Sequence, residues 1–208
     1  VSCSVAPVLQ TNGDGGRVIV WADDATRAYG QVTSRGGING GDGGFVEVSG
    51  KRYLDFGARV DTQAPFGNTG SLLLDPGAMI IKAGAGSNDL GGGSFNAGTV
   101  SGGTDSGIMF GNNIATALRT SAVIITTGRG GTGNIDFTTG NYNFSTVGNT
   151  NSLSFYAYAD SLSTGNILLP PGTNIRMGVG APLNLVAGWD GSFVGTPVAA
   201  NNLPATNG

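Results

Sequence analysis

Short apolar runs that follow glycine recur along the chain. The clearest are residues 18–21, 45–48 and 72–74, each of which begins just after a glycine or one position further on. Apolar side chains alternate with others in the first two runs, which is typical of a strand with one buried face and one wetter face. A glycine turn followed by a short strand, used repeatedly, is the pattern of a solenoid.

The device returns in the second half of the chain as Thr132-Gly133-Asn134 before residues 135–137 and Thr164-Gly165-Asn166 before residues 167–169. Equivalent positions are Val18, Val46 and Leu72, and again Ile135 and Ile167, so the step varies between roughly 26 and 32 residues. This loose period favours a β-helix, which tolerates loops of unequal length, over a propeller.

The pattern predicts an all-β, parallel β-helix formed by residues 1–208 as a single β-solenoid segment. Twelve strands are predicted: 17–21, 30–34, 45–49, 53–56, 71–74, 79–82, 122–126, 134–137, 152–157, 166–169, 175–178 and 183–187. Two segments interrupt the rhythm: 84–107 is predicted to be an irregular excursion and 195–208 a loose tail.

One short flanking helix is predicted over residues 113–120. Asn112 or Asn113 is its candidate N-cap, and Ile114, Ala117 and Leu118 fall on one side of it. We expect this helix to close a gap on the flank of the solenoid.

Composition agrees with a chain that turns often. Glycine accounts for 39 of 208 residues, and charged residues for only 11%, far below the quarter that is typical of soluble domains. Hydrophobic residues make up 39% of the chain, and their ordered alternation predicts a packed core rather than disorder.

Several chemistries are disfavoured by what the chain contains. It has no histidine, the usual general base and metal ligand, which argues against most hydrolases. The single cysteine, Cys3, cannot form an intrachain disulfide, and it is interpreted as an exposed thiol rather than a lipidation or intermolecular site. No cofactor is expected.

Charge and hydropathy bear on partners and location. The net charge is −3, and the ten basic residues are scattered, whereas nucleic-acid binding needs a basic stripe. No apolar run approaches the roughly 18 residues of a membrane span, and no secretory leader is seen. We expect a mature or excised part of an exported protein, with no nucleic-acid partner.

Three segments resemble the filamentous haemagglutinin type of large bacterial exoprotein. They are Gly16-Arg17-Val18-Ile19-Val20-Trp21-Ala22-Asp23, Gly40-Gly41-Asp42-Gly43-Gly44-Phe45-Val46-Glu47-Val48-Ser49-Gly50, and Val60-Asp61-Thr62 leading to Leu72-Leu73-Leu74-Asp75-Pro76. The specific part of the likeness lies within positions 16–76. The likeness continues through residues 94–100 and 122–127. The rest of the chain shares only the general pattern of glycine turns and short apolar runs.

This resemblance implies a right-handed parallel β-helix, export through an outer-membrane transporter by two-partner secretion, and work as a surface adhesin or fibre outside the bacterial cell. Host or neighbouring-cell glycans or proteins are the partners that it implies. The Asn-Pro-Asn type signals of the family's secretion domain are missing here, so the chain corresponds to the shaft that follows such a domain.

A shaft has simple expected dimensions. With roughly 22 to 30 residues per coil and coils about 4.8 Å apart, the sequence predicts about seven to nine coils and a rod of roughly 35 to 45 Å. Its two ends would present unpaired backbone groups, and such edges recruit another strand unless they are capped. The chain is therefore expected to be cut from a longer rod or to stack on copies of itself.

The acidic residues have two interpretations. Asp23, Asp24, Asp42 and Asp61 would act as paired carboxylates or calcium ligands if they converged on one flank. We favour turn residues that bond their own backbone beside glycine, because the glycine-rich motif around Asp42 lacks the spacing of calcium repeats and does not recur. No metal ligand or catalytic residue is assigned.

Trp21, Tyr156, Tyr158 and Trp189 are the candidate contact residues for carbohydrate or another partner, since flat aromatic faces suit sugar rings. The competing interpretation is packing in the core or on a flank. Asn134, Asn166 and Asn174 are candidates for an internal ladder of amides at the coil corners.

The leading functional hypothesis is a structural and adhesive segment of an exported fibre, without catalysis. A self-assembling extracellular filament subunit that stacks end to end is the second hypothesis. The third is a carbohydrate-active β-helix enzyme, which would need clustered Asp residues with Arg or Lys beside them. Lysine occurs only at Lys51 and Lys82, and the carboxylates are spread out.

Overall fold

The computed structural model describes residues 12–51, 53–84, 107–128, 132–145 and 150–192. Most of the predicted excursion (85–106), the predicted tail and Cys3 lie outside these residues. The described elements, in chain order, are β1 (Arg17–Ala22), β2 (Ala25–Ala28), β3 (Gln31–Thr33), β4 (Phe45–Gly50), β5 (Tyr53–Phe56), β6 (Arg59–Asp61), β7 (Ser71–Pro76), β8 (Met79–Lys82), β9 (Gly107–Phe110), α1 (Gly111–Ala117), β10 (Ala122–Thr126), β11 (Ile135–Phe137), β12 (Asn141–Asn143), β13 (Leu153–Tyr158), β14 (Ile167–Leu168), β15 (Asn174–Arg176) and β16 (Leu183–Trp189).

Parallel pairing between successive coils builds the fold. The first sheet has the order β1-β4-β7-β10-β13-β16, and the second has the order β2-β5-β9-β8-β11-β14. The pairs β3-β6 and β12-β15 form a third face. Together they make a β-solenoid of about five turns with one short helix, which confirms the predicted fold class.

One inward column shows how the coils stack. Val18, Val46, Leu72, Val123, Leu153 and Leu183 are paired in register along the first sheet. The four inner members are fully buried in one continuous core. The two steps measured in the sequence, from Val18 to Val46 and from Val46 to Leu72, are therefore confirmed as register pairs. The step from Leu72 to Val123 is clearly the longest of the five.

Glycine before β4 is required by close contact between coils. The amide of Gly43 donates to the carbonyl oxygen of Asn68 at 2.8 Å, and a Cβ at Gly43 would overlap the carbonyl oxygen of Thr62. A Cβ at Gly44 would likewise overlap the carbonyl oxygen of Gly16. The repeated Gly-Gly pair therefore marks a corner where the backbones of adjacent coils touch.

The Thr-Gly-Asn turns occupy a different corner. They precede β11 and β14, which belong to the second sheet and not to the first, so the prediction of one device used throughout is wrong. Gly133 and Gly165 have φ values of 70° and 63°, in the left-handed region that glycine adopts most readily. The predicted step from Ile135 to Ile167 is nevertheless a true register pair.

The third coil contains an insertion. Strand β9 follows β8 in the chain but lies between β5 and β8 in the second sheet. Helix α1 follows β9 and contacts both β6 and β12, on the third face. Because a helix is about 10 Å across and strands are about 4.8 Å apart, α1 takes the place of about two strands.

The predicted helix exists, but it spans Gly111–Ala117 and not residues 113–120, so both of its ends are displaced. Helix α1 begins at Gly111, so Asn112 and Asn113 lie inside its first turn and the predicted cap is wrong. Ile114, Ala117 and Leu118 are buried on one side, as predicted. The turn after the helix docks on the second coil, where the amide of Thr62 donates to the carbonyl oxygen of Thr120 at 3.0 Å.

The predicted number of coils is wrong. Val18 and Leu183 lie at opposite ends of one column of six paired positions. The average step along that column is longer than the roughly 22 to 30 residues assumed for a coil. The long step from Leu72 to Val123, which holds β9 and α1, is the main cause. Six stacked strands give this sheet a height of about 24 Å.

Two neighbouring isoleucines of β10 test which face of the first sheet is directed toward the core. Ile125 is fully buried in the core column, whereas Ile124 points the other way and is half-buried. We expect Ile125→Ala to lower the free energy of unfolding by about 2–5 kcal/mol and Ile124→Ala to cost clearly less. Denaturant unfolding followed by circular dichroism measures both, and equal losses would contradict the assigned faces.

Candidate functional site

Three of the four predicted contact aromatics come together on the outward side of the first sheet. The rings of Tyr156 and Trp189 are 5.6 Å apart between centroids, and those of Tyr158 and Trp189 are 6.4 Å apart at 86°. Ile124 and Val186 pack against them, in a cluster separate from the main core. The geometry is that of aromatic packing, including an edge-to-face pair.

The faces of these three rings are largely inaccessible. Tyr156, Tyr158 and Trp189 retain only 3%, 5% and 8% of their exposed surface. The indole Nε1 of Trp189 donates to the carbonyl oxygen of Ser192 at 3.0 Å. The cluster is therefore built as a flank-packing unit, because a sugar ring needs an open aromatic face for stacking.

Trp21 stands apart from this cluster. It lies on β1 in the same outward row as Tyr156, but β4, β7 and β10 separate the two strands. Four strand spacings correspond to about 19 Å. Since Trp21 is 55% exposed, it is the one of the four candidates whose ring is open to a partner.

Trp21 belongs to a row of register-paired residues that point away from the core, and the middle members of this row are polar. Ser49, Asp75 and Thr126 follow Trp21, and Ser49 and Thr126 are buried although they point away from the core. Burial raises the pKa of the Asp75 carboxyl, a hydrogen bond from Thr126 opposes the rise, and the negative charge of Glu47 adds to it. A carboxylate here is held in a setting that disfavours its charge.

Glu47 and Asp75 are diagonal neighbours on β4 and β7, and the charge of Glu47 adds to the raised pKa of Asp75. Glu47 accepts a hydrogen bond from the Ser49 hydroxyl at 3.0 Å and lies 3.7 Å from Arg17. The Arg17 guanidinium also stacks over the Phe45 ring at 4.9 Å. These contacts of Glu47 were not predicted, and they are brought about by the stacking of β1, β4 and β7.

The predicted acids occupy different corners. Asp23 and Asp24 lie between β1 and β2, Asp42 lies before β4, and Asp61 ends β6. Asp61 is 2.6 Å from the Nη1 atom of Arg35 and accepts the amide of Gln63 at 3.1 Å. Among the described residues, no three Cys, Asp or Glu side chains are grouped so that they could hold a metal ion.

Asp42 belongs to a ladder that runs along one corner. The Oδ1 atom of Asp14 accepts the amide of Asp42 at 2.8 Å, and the Oδ1 atom of Asp42 accepts the amide of Asn68 at 2.7 Å. Each side chain thus bonds the equivalent residue of the next coil. The favoured interpretation of turn residues that bond their own backbone holds for Asp61, which accepts the amide of Gln63, whereas the amide that Asp42 accepts belongs to a neighbouring coil.

The predicted asparagine ladder exists in two separate pieces. The Oδ1 atom of Asn134 accepts the amide of Asn166 at 2.9 Å and the Thr164 hydroxyl at 2.7 Å. Asn174 instead donates to Asn141 at 3.1 Å on the third face. The hydrogen bonds made by Asn166 and Asn174 are exposed to solvent. These residues therefore form ladders on the surface, and the prediction of an internal ladder is wrong.

Tyr29 and Asp55 form another contact between coils. The Tyr29 hydroxyl donates to the Oδ2 atom of Asp55, which is buried on the outward side of the second sheet beside Arg27. Burial raises the pKa of Tyr29, and its hydrogen bond to Asp55 adds to the rise. This group was also missed in the sequence.

Comparison of the sequence with protein-family models and with curated proteins finds no match. In the described part of the chain, no helix is long and apolar enough to cross a membrane.

Asp75→Asn removes the carboxylate charge and keeps an oxygen near Thr126. Because the pKa of Asp75 is raised in the folded protein, the folded state binds its proton more tightly than the unfolded chain does. That contribution to stability is present at low pH and is lost as the pH rises through the raised pKa. In thermal melts we expect the variant to have a higher Tm than the wild type near pH 7, and little difference near pH 3.

Asp61→Asn is the matched control for that comparison. It removes the ion pair with Arg35, so near pH 7 it should lower the stability, by at most about 1 kcal/mol for a surface pair. If the Tm of Asp75→Asn near pH 7 is equal to or below that of the wild type, the charge of Asp75 does not destabilise the folded state.

Asp42 offers a test of the corner ladder. Asp42→Ala removes the acceptor for the amide of Asn68, and we expect a loss of about 1–2 kcal/mol in the free energy of unfolding. Asp42→Asn keeps an acceptor oxygen and should retain most of the stability. Denaturant titrations compare the two variants, and equal effects would indicate that the acceptor at Asp42 does not hold the coils together.

Proposed function

We propose that this chain is a structural and adhesive segment of an exported bacterial surface fibre, without catalysis. The proposal assigns the chain to the filamentous haemagglutinin type and places it outside the cell after passage through an outer-membrane transporter. Host or neighbouring-cell glycans or proteins are its proposed partners. The shape and length of the solenoid are then its main functional properties.

The observation that most supports the proposal is the use of polar side chains. Asp14, Asp42, Asn134 and Asn141 each accept hydrogen bonds from the neighbouring coil. Asp61 pairs with Arg35 of the preceding coil. Polar groups that stabilise stacking from coil to coil suit a protein whose role is to be a rod.

The segments that resemble the exoprotein family support it as well. Residues 16–23, 40–50 and 60–76 form β1, β4, β6 and β7 with the turns before β4 and β7. Gly43, Gly44, Gly70 and Asp42 lie at the corner where coils touch. The residues that carry the resemblance are therefore ones that allow one coil to stack on the next, as expected of a shaft.

The enzyme hypothesis has one observation in its favour: Glu47 raises the pKa of Asp75 and lies 3.7 Å from Arg17. Glu47 is engaged by Ser49 and Arg17, and Asp75 is bonded by Thr126, so both acids already have structural partners. Incubation with pectin, alginate and related polymers tests this hypothesis. Cleavage that is lost in Asp75→Asn would replace the structural proposal with a catalytic one.

Surface exposure of the native protein tests the central proposal. Antibodies against the chain should label intact source cells, and added protease should remove the label. Disruption of the partner transporter should abolish the labelling while the protein accumulates inside the cell. Labelling that requires permeabilised wild-type cells would contradict the proposed location.

Trp21 gives a specific prediction for adhesion. Trp21→Ala should lower retention on immobilised glycans or cells several-fold, because Trp21 is the exposed ring of the four candidates, and it should change stability by no more than about 0.5 kcal/mol. Trp189→Ala should cost about 3–5 kcal/mol of stability, since its ring is buried. Unchanged retention of Trp21→Ala would exclude Trp21 as the contact.

A further inference from the structure

Both ends of the described solenoid are open sheet edges. Among the described strands, β1, β2 and β3 at one end each have a neighbour on one side only, and at the other end the same holds for β16, β14 and β15. Proline and lysine, which commonly protect edge strands, are absent from β1 and β16. Each of these strands therefore directs one row of backbone N–H and C=O groups along the rod axis.

The apolar column is open at the same two ends. Val20, Val48, Leu74, Ile125, Phe155 and Leu185 form one inward column. Its four inner members are fully buried, whereas Val20 and Leu185 are 37% and 42% exposed. The exposed members face opposite ends of the rod, so within the described part of the chain each end lacks the coil that covers the same position elsewhere.

We propose that a second copy of this chain stacks head to tail on the first, with β16 of one copy paired in parallel to β1 of the next. This inference rests on the proposed role as a fibre segment and names its partner. Continuing the internal register places Leu185 beside Val20, Asn184 beside Ile19 and Val186 beside Trp21. Such a heterologous contact repeats without closing, which generates a filament.

A copy of the same chain fits because the two ends complement each other. The strands run in the same direction at both ends, and the inward positions and the arrangement of the sheets also match. One end can therefore continue the other as β7 continues β4 inside the chain. In the second sheet the continued register places Leu168 of β14 beside Arg27 of β2, so no like charges meet at that position. The second copy thus repeats the contact that already joins coil to coil.

Disulfide trapping tests the register. In a Cys3→Ser background, Ile19→Cys and Asn184→Cys are made in separate proteins of different mass and mixed under oxidising conditions. Register partners in adjacent strands lie within the Cα separation of about 4.4–6.8 Å that a disulfide requires. We expect the mixed disulfide to form faster than either symmetric one, and its yield to rise with protein concentration.

A shifted pair supplies the control. Trp21→Cys mixed with Asn184→Cys is displaced by two positions, about 8 Å between Cα atoms, and should not cross-link efficiently. Leu185→Lys puts a charge in the open column and should shift sedimentation toward monomer while the circular dichroism spectrum is retained. Mixed disulfides that form equally at both registers would overturn the proposal.

Monomer at all concentrations would also overturn it, and thiol labelling separates the reasons. If the thiols introduced by Ile19→Cys and Asn184→Cys resist a maleimide in the monomer, the chain covers its own ends. If both react, the ends are open and do not attract a copy. Neither outcome changes the surface labelling of intact cells, so failure of stacking is distinguishable from failure of the proposed function.

Discussion

Parallel, in-register pairing of each coil with the next is the interaction on which the whole structure depends. It sets every residue about 4.8 Å from its counterpart one coil away, so a side chain at one corner meets a predictable neighbour. In the first sheet this register is kept from β1 to β16, apart from one shift between Ala157 and Tyr158, through steps of unequal length, the longest of which holds β9 and α1. The number of residues between register partners varies, but the distance between adjacent strands stays the same.

The same constraint explains both the glycines and the polar ladders. Where two coils approach at a corner there is no room for a Cβ, as at Gly43, and the amides there need acceptors that a regular strand would have supplied. The carboxylate of Asp42 supplies one of them for Asn68. Buried apolar columns and corner ladders are therefore two parts of one solution, since a coil that stacks must satisfy its backbone at every turn.

The sequence predicted what depends on local pattern and missed what depends on the neighbouring coil. Strands β5, β8 and β10 have the predicted bounds because their apolar residues are concentrated and bounded by turns. Strands β2, β6 and β12, with the sequences Ala-Thr-Arg-Ala, Arg-Val-Asp and Asn-Tyr-Asn, have no such signal, and pairing with an adjacent coil makes them strands. The position of β9 follows from topology, which no local pattern records.

The polar contacts between coils were missed for a related reason. The period was measured on apolar residues, Val18, Val46 and Leu72, but it applies equally to polar ones. Asp14 bonds Asp42 at the step that separates Val18 from Val46, and Asp42 bonds Asn68 at the step that separates Val46 from Leu72. Aromatic residues close in sequence, such as Tyr156 and Tyr158, attract attention as a platform, yet burial is decided by the strand stacked beside them.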